Sequence, residues 1–64
     1  MDLNERERKI IEYIRVNKRI TSSEIQQMFN VSRVMANRYM KRLQELLIIE
    51  RKGAGKAVYY IKME

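Results

Sequence analysis

The stretch TSSEIQQMFNVSRVMANRYMKRL, residues 21–43, predicts two helices joined by a very short turn. The first helix has an apolar edge, because Ile25, Met28 and Phe29 follow the i, i+3, i+4 spacing of one helix face. Thr21 is placed to cap its start, and Glu24 completes a capping box three residues later. The first of the two helices therefore lies between Thr21 and a turn formed by Asn30 and Val31.

The second helix of this stretch is apolar on one side and cationic on the other. Ser32 is placed to cap it, and the helix is expected from about Arg33 to Leu46. At 100° per residue the apolar face contains Ala36, Met40, Leu43 and Leu47, flanked by Tyr39. The opposite, solvated side contains Val34, Arg38, Lys41, Arg42 and Glu45. DNA-binding proteins present a helix of this kind to the major groove.

A further helix is expected before this pair, beginning after Asn4. Asn4 caps it together with Glu7, and Ile10, Ile11 and Ile14 give it one apolar face. It is expected to end near residues 17–18, because asparagine tolerates the left-handed conformation.

The apolar period changes from 3.6 to 2 after the third helix. Residues 48–52 and 57–61 are therefore predicted to form strands. Residues 53–56, Gly-Ala-Gly-Lys, are predicted to form the hairpin loop between them, since glycine permits positive φ. Ile20, a lone apolar residue, is expected to form a strand of one or two residues. The predicted core is Ile10, Ile14, Ile25, Phe29, Val31, Ala36, Met40, Leu43, Ile49 and Ile61.

Composition limits what the chain can be. Its 64 residues make one domain, residues 1–64, and a chain this short hides only about 60% of its unfolded surface. Without cysteine or histidine it lacks disulfides and the usual zinc and redox ligands. No apolar run approaches the roughly 20 residues of a membrane span, and no signal peptide opens the chain, so a cytoplasmic location is expected.

The net charge of +6 is unevenly distributed along the chain. Residues 1–32 carry six basic and five acidic groups, whereas residues 33–64 carry eight basic and three acidic groups. A basic half beside a nearly neutral half indicates a surface for a polyanion.

The order helix, helix, helix, hairpin resembles the winged helix-turn-helix family over nearly the whole chain. Its distributed signature is Ile10-Ile11 and Ile14, Thr21-x-x-Glu24-Ile25, Phe29-Asn30-Val31-Ser32 and Ala36-x-Arg38-x-Met40-x-x-Leu43, followed by the hairpin. Three positions depart from the family, which usually has glycine where Asn30 stands, often has glycine where Leu47 stands, and commonly has a small residue where Gln26 stands. Leu47 is therefore interpreted as a core residue. The resemblance implies an α+β fold, with three helices and a C-terminal β-hairpin wing.

The resemblance also implies that the protein has a binding site for double-stranded DNA. The start and middle of helix 3 would enter the major groove, and the wing would contact phosphates or the minor groove. The candidate DNA-contacting residues are Ser32, Arg33, Val34, Met35, Asn37, Arg38 and Lys41 at helix 3, and Arg51, Lys52 and Lys56 in the wing. Arginine can bind guanine O6 and N7, asparagine can pair with adenine, and an apolar side chain suits a thymine methyl group. Ser32 is placed to help hold a phosphate at the helix N-terminus.

Other interpretations remain open. Val34 and Met35 suit a protein partner as well as DNA, and the wing cations could simply protect an edge strand. One alternative function is a protein-interaction module of a larger assembly. The other is a protein that binds RNA or single strands through Tyr59, Tyr60 and the basic wing. Catalysis finds no support, because the chain has no histidine, cysteine, phosphate-binding loop or paired carboxylates. No cofactor and no small-molecule ligand are expected.

A homodimer, free or formed only on DNA, is also expected, because one recognition helix reads only a few base pairs. The apolar residues left over for it are Val16, Met28, Leu46 and Met63. Scattered surface apolar residues on a monomer are the alternative interpretation.

Overall fold

The computed structural model describes residues 3–63 and contains three helices followed by an antiparallel hairpin. The elements are α1 (Glu5–Asn17), α2 (Ser22–Phe29), α3 (Arg33–Glu45), β1 (Ile49–Lys52) and β2 (Tyr59–Lys62). The predicted α+β class, with a hairpin after three helices, is confirmed.

All three predicted helix caps are present. Asn4 Oδ1 accepts from the Glu7 backbone N–H at 2.8 Å, and Glu7 Oε1 accepts from the Asn4 N–H at 2.9 Å. Thr21 and Glu24 form the same reciprocal pair at the start of α2, at 3.2 and 2.8 Å. The Ser32 hydroxyl caps α3. Each cap satisfies backbone donors that a helix start leaves unpaired, so the sequence locates these boundaries well.

The helix ends differ slightly from expectation. Lys18, with φ 78°, takes the left-handed conformation after α1, where asparagine at position 17 was the better candidate. Asn30 does take it after α2, with φ 53°.

Leu47 is not a core residue. Helix α3 ends at Glu45, and Leu47 has φ 59° and is 71% exposed. The chain reverses between α3 and β1, and this reversal needs a left-handed residue at the position where the family often has glycine. That backbone geometry places the leucine side chain in solvent, so the helical pattern that suggested burial does not extend to it.

The hairpin extends into a minimal third strand at Ile20, as predicted. Ile20 and Tyr60 exchange two backbone hydrogen bonds, at 3.0 and 2.8 Å. In the hairpin itself, Arg51 pairs with Tyr60 and Glu50 with Ile61. Strand β2 begins later than expected, because a 3₁₀ turn, Gly55–Ala57, lengthens the loop.

The core differs from its prediction at the second strand. Tyr60 is buried, and Ile61, the predicted core residue, is only half-buried. Side chains alternate along a strand, and Tyr60 faces the core because it lies opposite the buried Ile20. The observed core is Ile10, Ile14, Ile20, Ile25, Ala36, Met40, Leu43, Ile49 and Tyr60. Phe29 and Val31, also predicted there, are half-buried at its margin.

Polar contacts hold the start of α1 against α3. The Glu7 side chain is 1% exposed, and its Oε2 lies 3.2 Å from Nε of Arg42 in an ion pair. Arg42 lies on the exposed side of α3, as the helical period predicts, but its guanidinium is also held by the Glu7 carboxylate. Beside this pair, an Arg6 guanidinium N–H donates to the Tyr39 hydroxyl at 2.8 Å, and its guanidinium stacks on Phe29, 5.5 Å from the ring centroid. These contacts orient the helix that carries the candidate site.

Arg42→Gln is expected to lower the free energy of unfolding by about 1–2 kcal/mol, because it leaves the buried Glu7 carboxylate without its cation. Urea denaturation measures the effect. Lys41→Gln is the control, since it removes the same charge from an exposed neighbour and should change stability by about 0.5 kcal/mol or less. Equal unfolding midpoints for the two variants would show that the ion pair is not stabilising.

Leu47→Gly is expected to raise the free energy of unfolding by about 0.5–1 kcal/mol, because glycine adopts positive φ without a clash of its Cβ atom. Leu47→Ala removes the same exposed side chain but keeps the strained backbone, so it should give no gain. A loss of stability in the glycine variant would mean that contacts of the Leu47 side chain stabilise the folded protein by more than the left-handed backbone costs.

Candidate nucleic-acid interface

Helix α3 is buried on one side only. Ala36, Met40 and Leu43 are no more than 1% exposed, where α3 packs on α2 and β1. The candidate DNA-contacting residues of α3 lie on the other side. Met35 is half-buried, and the others are exposed: Arg33, Val34, Asn37, Arg38 and Lys41. The structure thus presents the predicted helix face to solvent as one surface.

The residue before α3 has a structural role that the sequence predicts. The Ser32 hydroxyl accepts from the Met35 backbone N–H at 3.2 Å and so closes the first turn of the helix. Its hydroxyl proton remains available for donation to a phosphate oxygen.

A cleft separates the start of α3 from the hairpin, and we refer to it as the wing cleft. It consists of two adjoining parts that share Ser22, Arg33, Gly55 and Val58. One part extends to Lys56 and the other to Arg51. The cleft thus brings Arg33 of α3, Arg51 of β1 and Lys56 of the wing loop around one depression.

The first turn of α2 forms one wall of the wing cleft, although it is not among the residues predicted for the site. Ser22 and Ser23 line the cleft, and the Ser22 hydroxyl donates to Oδ1 of Asn37 at 3.4 Å. This bond links α2 to a candidate base-reading residue. The three consecutive hydroxyl residues at positions 21–23 were a usable signal, since helix N-termini attract anions.

Most of the candidate cations of this surface are not paired with carboxylates of the described residues, and Lys52, beside Glu50, is the exception. Within residues 3–63, no ion pair involves the candidate cations Arg33, Arg38, Lys41, Arg51 and Lys56. By contrast, Lys9 and Arg15 of α1 each pair with a glutamate of the same helix. A cation without an acidic partner can bind a phosphate without first breaking an ion pair.

Strand alternation places the wing cations on different faces. Arg51 is on the same face as the buried Ile49 and lines the wing cleft. Lys52 is on the opposite face, and its Nζ lies 3.1 Å from Oε1 of Glu50. Of the two neighbouring cations, only Arg51 faces α3.

The wing loop depends on one glycine. Gly53 has φ 82°, and a Cβ atom there would lie 2.2 Å from the Ala57 carbonyl oxygen. No other residue type fits without moving the backbone, so Gly53 fixes how the loop carries Lys56 toward the cleft.

The two tyrosines of β2 do not form a shared aromatic surface. Tyr60 is 9% exposed in the core, whereas the Tyr59 ring lies on the other face under the guanidinium of Arg19, 5.3 Å from the ring centroid. Tyr59 is half-buried, so the two rings lie on opposite faces of the strand and are exposed to different degrees.

A polar contact between α1 and α2 supports the α2 wall. The Tyr13 hydroxyl donates to Oε2 of Glu24, the residue that also caps α2. Burial opposes ionisation of Glu24, but the hydrogen bonds from Tyr13 and Thr21 outweigh it and lower the pKa of that carboxyl. The same bond raises the pKa of Tyr13. The hydrogen bonds to Glu24 stabilise the folded protein only while this carboxyl is ionised. Their contribution to the free energy of unfolding is therefore present at neutral pH and is lost as the pH falls through the lowered pKa.

Residues 3–63 contain no group of three or more potential metal ligands. In the same part of the chain, no helix is long and apolar enough to cross a membrane.

A family model described as an HTH domain matches residues 6–60, from the first turn of α1 to the middle of β2. The chain belongs to this helix-turn-helix family, and its three helices with a hairpin wing make it a winged helix-turn-helix domain. The family identifies DNA as the binding partner. No curated protein and no solved structure gives a significant match.

Replacing Arg51 and Lys56 together with alanine is expected to weaken binding to all duplexes similarly, because phosphate contacts carry no sequence information. The slope of log K against log salt should fall by about 0.9 for each lost contact. Fluorescence anisotropy titrations at several salt concentrations measure both effects.

Lys52→Ala is the matched comparison for this pair. Its ammonium already lies beside Glu50, so the salt slope should change less than in Arg51→Ala. An unchanged slope in the Arg51 and Lys56 double variant would exclude the wing from the binding surface.

Proposed function

We propose that this protein is a small transcriptional regulator that binds double-stranded DNA with sequence selectivity. The supporting observation is that unpaired cations from α3 and from the wing surround a single cleft, although they come from distant parts of the sequence. A duplex has a groove for the helix and a phosphate backbone for the wing, so it suits both parts of this surface.

Helix α3 is the proposed reader of bases. Arg38 and Asn37 are exposed near its middle, where bidentate contacts to guanine and adenine are possible. Arg33 and Lys41 extend the cationic surface on either side of them. Val34, 67% exposed on the first turn, and Met35 are proposed to contact a thymine methyl group.

The proposed phosphate contacts flank the reading helix. Ser32 lies at its N-terminus, Arg51 and Lys56 line the wing cleft, and Lys52 is on the outer face of the hairpin. The hydroxyls of the first turn of α2 extend this polar rim. Contacts of this kind fix the orientation of the helix in the groove without selecting a sequence.

We further propose that residues 1–64 act as a single non-enzymatic domain in the cytoplasm, and that two copies bind a palindromic site. A single helix reads few base pairs, so two copies across a two-fold axis would double the contacts.

An alternative function is a protein-interaction module. It is favoured by one observation, the exposed Val34 on the surface that would otherwise face DNA. An RNA or single-strand binder is less well supported, because Tyr60 is buried and only Tyr59 remains for stacking.

Anisotropy titration with random duplex DNA, single-stranded DNA and RNA of equal length tests these alternatives. We expect the duplex to bind most tightly and with a steep salt dependence. Selection from a randomised duplex pool then identifies the preferred site. Equal or tighter binding of the single strands would favour the single-strand alternative, and no binding of any of them would favour the protein-interaction alternative.

Arg38→Ala is expected to cost about 1–3 kcal/mol on the preferred site and to relax the choice of base at the contacted position. Arg8→Ala is the matched control, since it removes an exposed arginine of α1 outside the proposed interface. The measurement is the ratio of affinities for the preferred site and for its single-base variants. If both variants kept the discrimination of the parent, Arg38 would not be a reading residue.

A further inference from the structure

A second surface lies between α1 and α2 and is apolar where the wing cleft is polar. Val16 of α1 is 62% exposed and Met28 of α2 is 37% exposed, and both line one shallow groove. We refer to it as the Val16–Met28 groove, and its other lining residues are Lys9, Glu12, Tyr13 and Asn17. The two residues are twelve positions apart, so only the packing of the helices makes them neighbours.

The other leftover apolar side chains do not form a comparable surface. Leu46 and Met63, which the sequence also offers for self-association, are half-buried. The other exposed large apolar side chains among residues 3–63 are Val34, on the proposed DNA-reading helix, and Leu47, in the turn after it. The Val16–Met28 groove is where two such side chains lie together.

The charges around this groove cancel. Lys9 Nζ lies 3.5 Å from Oε1 of Glu5, and Arg15 pairs with Glu12. These four residues sum to zero, so the rest of the chain carries the whole net charge of +6. Such a rim does not attract a nucleic acid, but a second copy can approach it without like-charge repulsion.

We propose that the Val16–Met28 groove is the contact between two copies of this chain. A two-fold contact places the same patch on both copies. Because the cations and anions of each rim are already paired, the two patches meet without net like-charge repulsion. Stable interfaces cover about 800 Å² on each partner, and this groove offers only two exposed apolar side chains. The contact is therefore weak in free solution, and binding to one duplex strengthens it by raising the effective concentration of the second copy.

The DNA-dependent part of this proposal rests on the proposed function, whereas the contact itself does not. The first measurement therefore uses no DNA. Nuclear magnetic resonance spectra of the 64-residue protein are recorded from dilute solution to about 1 mM. We expect concentration-dependent shifts of the Val16 and Met28 methyl groups and of the backbone amides of Tyr13 and Asn17, which line the same groove. In the double variant Val16→Gln with Met28→Gln, the shifts of these two amides should be absent.

The second measurement is the cooperativity of binding to a duplex with two half-sites. Glutamine keeps the charge and the helix propensity, so the double variant should bind a single half-site as the parent does but lose cooperativity at least tenfold. Leu47→Asn is the control, because it removes an exposed leucine away from the groove and should keep the cooperativity.

The outcomes separate this proposal from the proposed function. Failure to bind any duplex overturns the proposed function, and the methyl shifts then decide the contact alone. Shifts located at residues outside the groove, or no shifts to about 1 mM together with one copy per duplex, overturn the proposed contact and leave the groove to a different protein. Unchanged cooperativity in the double variant also overturns it.

Discussion

The structure depends on the packing of α3, which has to be buried on one side and open on the other. Ala36, with no exposed surface, allows α3 to approach its neighbours closely, and Met40 and Leu43 extend the contact toward β1. The left-handed residue Asn30 sets the short turn that brings α2 against this face. A larger side chain at position 36 would move the helix outward, and with it the candidate DNA-contacting residues of α3.

Polar contacts then fix how the packed helix is oriented. The two adjacent residues Arg6 and Glu7 of α1 reach Tyr39 and Arg42, which lie three positions apart on α3. The buried carboxylate of Glu7 both caps its own helix and holds a cation of another. An arginine held in this way belongs to the scaffold, whereas Arg38 and Lys41 on the same helix remain available to an outside anion.

The molecule separates two kinds of surface. Around the wing cleft, cations from α3 and the hairpin have no acidic partner within residues 3–63, which suits a polyanion. Between α1 and α2, charges are paired and apolar side chains are exposed, which suits a protein surface. Like-charge repulsion between copies of a chain with a net charge of +6 is smallest where its charges are paired, so this segregation of charge is compatible with both proposed interactions.

The sequence by itself determined the elements and their order, because capping residues, helical periodicity and turn glycines act locally. Asn4, Thr21 and Ser32 each begin a helix as predicted, and the exposed face of α3 follows from its period. Only the tertiary structure decided which strand face is buried, because alternation alone allows either Tyr60 or Ile61 to point inward and the pairing with Ile20 selects Tyr60. It also decided that Leu47 is exposed, that Glu7 is buried, and that the first turn of α2 joins the wing cleft. The burial of Glu7 and the shape of the wing cleft depend on contacts between distant segments, and the exposure of Leu47 depends on the turn into β1, so the helical period of the sequence does not encode them.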